Sequence, residues 1–151
     1  MRVSKTLRRL LLGMFGFAVF AGFGTVNASE PDPAIMTFKL PDKIVWNKNQ
    51  AILYGDPQAP GGFYQVLTKW PPHTMSRPHF HQNDRYIYVL SGTWWVGWGP
   101  KYDPGSTYPM PAGSYVQHYA KKIHYDGSKD GEVLLLISGI GPEKSTPAEE
   151  K

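Results

Sequence analysis

His79-Phe80-His81 places two imidazoles one residue apart in a stretch of extended-chain character. Side chains alternate across a strand, so positions i and i+2 point to the same side and both rings can reach one ion. His124 offers a third imidazole from a later segment. Three such ligands are the minimum that holds a catalytic metal while leaving coordination positions open for a reacting molecule. A neutral, borderline-soft set of this kind suits Fe(II), Mn(II), Zn(II), Ni(II) or Cu(II) and does not choose among them. The competing reading is plainer: exposed or hydrogen-bonded strand histidines that hold nothing.

The spacing of the surrounding residues sharpens the first reading. The pattern G-x5-H-x-H-x3-E-x6-G fits from His73 to Gly92, with His73 at the first glycine, His79 and His81 at the histidines and Arg85 at the glutamate. The pattern G-x5-P-x-G-x2-H fits from Gly113 to His124, with Tyr119 at the proline and Lys121 at the second glycine. These are the two cupin motifs. The stretch from Ala51 to Pro142 resembles small, single-domain, exported bacterial cupins, and the phrases Leu53-Tyr54-Gly55-Asp56-Pro57 and Val89-Leu90-Ser91-Gly92-Thr93 strengthen the likeness. The resemblance implies an all-β fold, the antiparallel double-stranded β-helix or jelly-roll barrel, with one divalent transition metal on His79, His81 and His124. It implies less about chemistry, because cupins host many unrelated activities.

Arg85 is the departure that matters most. Guanidinium has no lone pair to offer and stays protonated, so it cannot replace a glutamate ligand. A unit charge about 5 Å from a dication is repelled by about 6 kcal/mol at an effective dielectric of roughly 20. An anion bridging metal and guanidinium would turn that repulsion into attraction to both. Two placements of Arg85 therefore stand open: inward as an anion clamp, or outward and paired with Asp84 or an acid of the C-terminal tail. Asp84 itself is expected on the opposite strand face and not as a ligand. His118 occupies a strand position that is usually apolar in the second motif. It is read either as a hydrogen-bonded strand histidine or as a fourth ligand or acid/base group. His73 reads as a turn residue near the barrel mouth, where it could also shuttle protons.

The elements that must position these groups are short and extended. Runs at Ile44 to Trp46, Phe63 to Trp70, Tyr86 to Leu90, Trp94 to Trp98, Ser114 to Tyr119 and Val133 to Ile137 alternate with turn clusters such as Pro71-Pro72, Asp103-Pro104-Gly105 and Asp126-Gly127. Interior positions should be the odd ones from Arg85 onward, with Ile87 and Val89 lining the cavity. Tyr86, Tyr88 and Leu90 then face away, and an outer apolar face of this kind points to a homodimer. Trp94, Trp95 and Trp98 read as core or subunit contact. Ser29 to Ala34 and Glu143 to Lys151 read as mobile polar tails.

Residues 1–28 read as a signal peptide: Arg2, Lys5, Arg8 and Arg9, an apolar run from Leu10 to Phe23, then Val26-Asn27-Ala28 before Ser29. Four of the 16 basic residues lie in this leader and all 12 acids lie beyond it, leaving 12 of each in residues 29–151. The overall charge of +4 therefore gives no warrant for nucleic-acid binding. No membrane anchor is expected once the leader is removed, and the product is expected in the periplasm or outside the cell. The absence of Cys excludes disulfides and thiolate ligands. Residues 29–151 are expected to form one cupin domain with its core at about 36–142. The resulting reading is an exported cupin that acts on a small organic molecule by dioxygenase-like or lyase/isomerase chemistry, with Arg85 and His118 as candidate catalytic residues. Its rivals are a metal- or ligand-binding cupin without turnover and a barrel whose metal site has decayed.

Overall fold

The computed structural model describes residues 29–150, and the signal-peptide expectation lies outside the described residues. Eleven strands lie in the compact unit Phe38–Lys151. They are β1 (Gln50–Tyr54), β2 (Phe63–Trp70), β3 (Thr74–Met75), β4 (His79–His81), β5 (Arg85–Ser91), β6 (Thr93–Trp98), β7 (Tyr108–Pro111), β8 (Tyr115–His118), β9 (His124–Ser128), β10 (Val133–Ile140) and β11 (Ser145–Pro147). Among the described residues the only helical elements are single 3-10 turns at Pro41–Lys43 and Pro104–Ser106. The all-β expectation holds.

One sheet runs β1-β2-β10-β5-β8 and the other β11-β4-β9-β6-β7, with β3 beside β9. All pairings are antiparallel. The alternation of β5 decides which face is which: Arg85, Ile87 and Val89 are buried while Tyr86, Tyr88 and Leu90 are exposed. Facing residues of both sheets, among them Tyr64, Val66, Trp94, Val96, Val133, Leu135 and Ile137, complete the core. Each fully buried apolar side chain of this size contributes about 1.5–3 kcal/mol. Ile87 and Val89 belong to this packed cluster and do not line the cavity as expected. The tryptophans divide: Trp94 is wholly buried, Trp95 carries the Lys129 ammonium over its ring at 3.9 Å, and Trp98 is exposed.

Three further sequence expectations fail. Ile44 to Trp46 is not a strand, because the chain leaves a 3-10 turn and enters a tight bridge between Asn47 and Gln50 with no neighbour to pair with. Asp126-Gly127 is not a turn but the middle of β9. Gly127 is there for closeness: a Cβ on it would lie 2.1 Å from the Thr74 carbonyl oxygen of β3. The stretch after Pro142 is not a free tail either. It forms β11, which pairs with β4 in the register Ser145 to His81 and Pro147 to His79, so it lies alongside two of the candidate ligands.

Candidate metal centre

β4 and β9 meet at the pair His79 and His124, the point where the two motifs converge. Alternation along β4 puts His79 and His81 on one side, as their spacing requires. Their ring centroids lie 5.0 Å apart, and those of His79 and His124 lie 4.5 Å apart. One nitrogen from each of His79, His81 and His124 falls within 4.8 Å of the others. The structure thus brings the three predicted ligands together.

Ring orientation is set by the backbone. Nδ1 of His79 donates to the Arg77 carbonyl at 2.8 Å, and Nδ1 of His124 donates to the Lys122 carbonyl at 3.0 Å. A carbonyl can only accept, so Nδ1 carries the hydrogen in both rings and each Nε2 keeps its lone pair. Nε2 of His124 is buried without a protein partner among the described residues. A donor set anchored through Nδ1, with a free buried Nε2, fits a metal ion. The electrostatics agree. Burial first, then the Arg85 guanidinium, press His81 down to about 2. Burial also lowers His124, to about 4, although Asp126 pulls it upward. Neutral imidazoles are the metal-binding form.

Two turns that aim these strands adopt left-handed backbone at residues other than glycine. His73 has φ 59° and Lys121 has φ 60°, and these are the two residues standing where the motifs have glycine. The backbone shape is kept although the residue that adopts it cheaply is not. Lys121 N donates to the His81 carbonyl at 2.7 Å, tying the loop before His124 to β4. His73 is a turn residue, as expected, with its N–H donated to the Lys129 carbonyl at 2.9 Å.

Arg85 combines the two placements that the sequence left open. It is buried and faces the imidazoles: Nη1 donates to Nε2 of His81 at 2.8 Å. Yet it also pairs with a C-terminal acid, Glu143, at 3.4 Å from Nη1 to Oε1. Pairing with an acid of this segment does not require Arg85 to swing outward, because the segment itself folds in. Glu143 is held by its backbone N–H, donated to the Pro57 carbonyl at 2.6 Å, and by Gln50 Nε2 at 3.4 Å. Asp84 is turned away from the cluster, as expected, accepting from Ala120 N at 2.7 Å and Gln117 Nε2 at 3.0 Å.

His118 overturns the reading of a hydrogen-bonded strand histidine. It lies opposite Arg85 in the β5–β8 ladder, it is buried, and neither ring nitrogen has a protein partner among the described residues. Its ring lies 3.8 Å, centroid to centroid, from that of His124. Burial, reinforced by His124 and Arg85, lowers its proton affinity far below the ordinary imidazole value. Sequence reading missed one carboxylate here, Asp126, and left the other unnamed among the acids of the C-terminal segment. Asp126 stands two residues after His124 on β9, so the same alternation that joined His79 to His81 could have found it. Glu143 carried no such signal, being 58 residues from Arg85.

Two cavities reach the cluster. One of about 370 Å³ is lined by Arg77, His79, Arg85, Trp94, Asp126 and Glu143 among others. The second, of about 240 Å³, meets His118 and His124 and is otherwise mainly apolar, with Val96, Trp98, Met110 and Val116.

Solved structures share this architecture. A cupin-2 domain protein from Rhodospirillum rubrum aligns with a TM-score of 0.56 at 12% identity, covering 76% of this chain and 81% of its own. A protein with a double-stranded β-helix domain from Klebsiella pneumoniae aligns at 0.54 and 16%, covering 72% and 94% respectively. The chain has the cupin fold. The polyketide cyclase RemF from Streptomyces resistomycificus matches this chain at a TM-score of 0.54 and 21% identity, over 69% of this chain and 74% of that one. At such identities the likeness concerns the fold alone, and cupin barrels carry many chemistries. No family profile matches the sequence, and no curated protein is similar to it.

Proposed function

We propose that this cupin is exported, holds one divalent transition metal through His79, His81 and His124, and acts on a small organic molecule bound in the larger cavity. The observation that carries the reading is the convergence of three imidazoles, two of them fixed through Nδ1, at the edge of a cavity of about 370 Å³. When bound, a divalent metal supplies Lewis-acid or redox chemistry to a molecule in its open positions. The chain's own residues bind and orient. Trp94, Leu135 and Ile137 give the cavity an apolar wall that limits water, and Arg85 offers a buried Nε–H that has no protein partner among the described residues. That group suits a carboxylate or another oxyanion on the substrate. Dioxygenase-like and lyase/isomerase reactions are both compatible with these groups. The apolar outer face of β5, with Tyr86, Tyr88 and Leu90 exposed, supports assembly as a homodimer.

One observation favours a second reading, a barrel without metal. Arg85 donates to the very lone pair on His81 that an ion would need. Elemental analysis of the protein purified from its native compartment separates the two. Close to one equivalent of a transition metal supports the proposal, and none supports the second reading. For metal-loaded protein, metal-dependent turnover of any member of a panel of small carboxylic acids, with and without oxygen, separates an enzyme from a binding protein.

A further inference from the structure

The three-imidazole reading leaves a second set of donors idle. His118 is 8% exposed, and both of its ring nitrogens lack a protein partner among the described residues. Buried polar groups are almost always satisfied, so two orphaned nitrogens on one ring point to a partner that is not protein. Asp126, 3% exposed, sets Oδ2 3.8 Å from Nε2 of His124, and Oδ1 has a single long contact of 3.4 Å from Ser76 Oγ. Among the described residues no Lys or Arg lies within ion-pair distance of this carboxylate. Donor atoms of His118, His124 and Asp126 lie within 4.8 Å of one another, and this set overlaps the first only at His124.

We infer that His118, His124 and Asp126 form a second seat for a divalent transition metal, sharing His124 with the first. Nδ1 of His124 is committed to the Lys122 carbonyl, so the ring has one lone pair to give and the two seats are alternatives for one ion. Charge decides between them. The seat at His79 and His81 faces the Arg85 guanidinium, which already occupies Nε2 of His81. His118 also lies across the ladder from Arg85, but neither of its ring nitrogens is occupied by that side chain and its seat includes a carboxylate, so the acid missing from position 85 is supplied from β9. While no substrate anion is bound and Arg85 stays on Nε2 of His81, the ion rests with His118 and Asp126, and the site proposed above is the one it takes once Arg85 is drawn to an anion. If Arg85 is withdrawn, the seat at His79 and His81 opens. The inference rests on the reading of this cluster as a metal centre only through His124.

Cobalt(II) titrated into metal-free protein against a competing chelator tests it, with the visible absorption spectrum recorded alongside. Wild type should bind one equivalent. Asp126→Asn and His118→Gln, each verified as folded by near-ultraviolet circular dichroism, should weaken binding at least tenfold and change the visible bands. His79→Gln should bind within about threefold of wild type. In an Arg85→Gln background the order should reverse, with His79→Gln now the damaging change. If Asp126→Asn and His118→Gln bind as wild type does while His79→Gln abolishes binding, the second seat is refuted and the three-imidazole site stands. If wild type binds no cobalt, both ideas fall.

Discussion

Arg85 and Glu143 govern the charge beside His81. Their side chains are only 10% and 13% exposed, so each depends on the other to offset its lost hydration. Glu143→Gln leaves a guanidinium uncompensated next to His81. The variant should lose about 1–3 kcal/mol in urea denaturation, a value below that of a fully buried pair because both groups retain some solvent. Metal affinity at His79 and His81 should fall with it in chelator competition. Arg85→Gln removes both the like charge and the competitor for the His81 lone pair, and should raise affinity at that seat at least tenfold. His73 and Lys121 make a different demand at the same scale. A left-handed residue other than glycine costs about 1–2 kcal/mol, and glycine returns about 0.5–1 of that through the unfolded chain. His73→Gly and Lys121→Gly should therefore each stabilise the protein by about 0.5–1 kcal/mol, read as a higher urea midpoint. Destabilisation by either would show that the side chain makes a contact worth more than the strain.

At the scale of elements, β9 carries the most. It holds His124, Tyr125 and Asp126, it borders β3, β4 and β6, and all five of its residues are buried. Its closeness to β3 depends on the missing side chain at Gly127, where the obstruction is main chain and cannot rotate aside. Gly127→Ala should cost about 2–3 kcal/mol by overpacking. Because the same shift displaces His124 and Asp126, metal affinity should drop in parallel, which denaturation and metal titration of one sample can show together. A variant as stable as wild type would mean that β3 yields freely.

For the whole molecule, the buried imidazoles link metal, acidity and stability. His81, His118 and His124 are all held below the ordinary imidazole value by burial, His81 at about 2 and His124 at about 4. Above pH about 6.5 neither the folded nor the unfolded state protonates these rings, and they contribute no pH dependence. As pH falls below that value the unfolded chain takes up protons that the folded barrel refuses, so stability declines. The slope should approach about 1.4 kcal/mol per pH unit for each ring involved, and it should persist down to about pH 4, where His124 begins to protonate in the folded state. Denaturation of metal-free protein at pH 7.5, 6 and 5 measures it. Added metal should move the loss to lower pH, because it binds only the neutral rings of the folded form.

Much of this was legible along the chain. β2 was readable to its ends and β5 by its alternating faces, because a two-residue period is written locally. His79 with His81 was readable for the same reason, and the two motif spacings carried His124 and the barrel topology. The strand character of Asp126-Gly127 was not, because glycine there answers a neighbour, Thr74, that only the folded sheet supplies. The orphaned ring of His118 was equally invisible, and the pairing of Arg85 with an acid of the C-terminal segment was readable only as one of two alternatives, with nothing to single out Glu143 or to show that the segment folds in. Each depends on segments distant in sequence meeting in a low-dielectric interior, where burial and partner together decide what a polar group can do. Residue types and local periods therefore determined the all-β character and the imidazole pair, and the motif resemblance pointed to the barrel. Only the tertiary structure decided the charge around them, because the segment leading into β11 sets Glu143 beside Arg85 and β9 turns Asp126 toward His124.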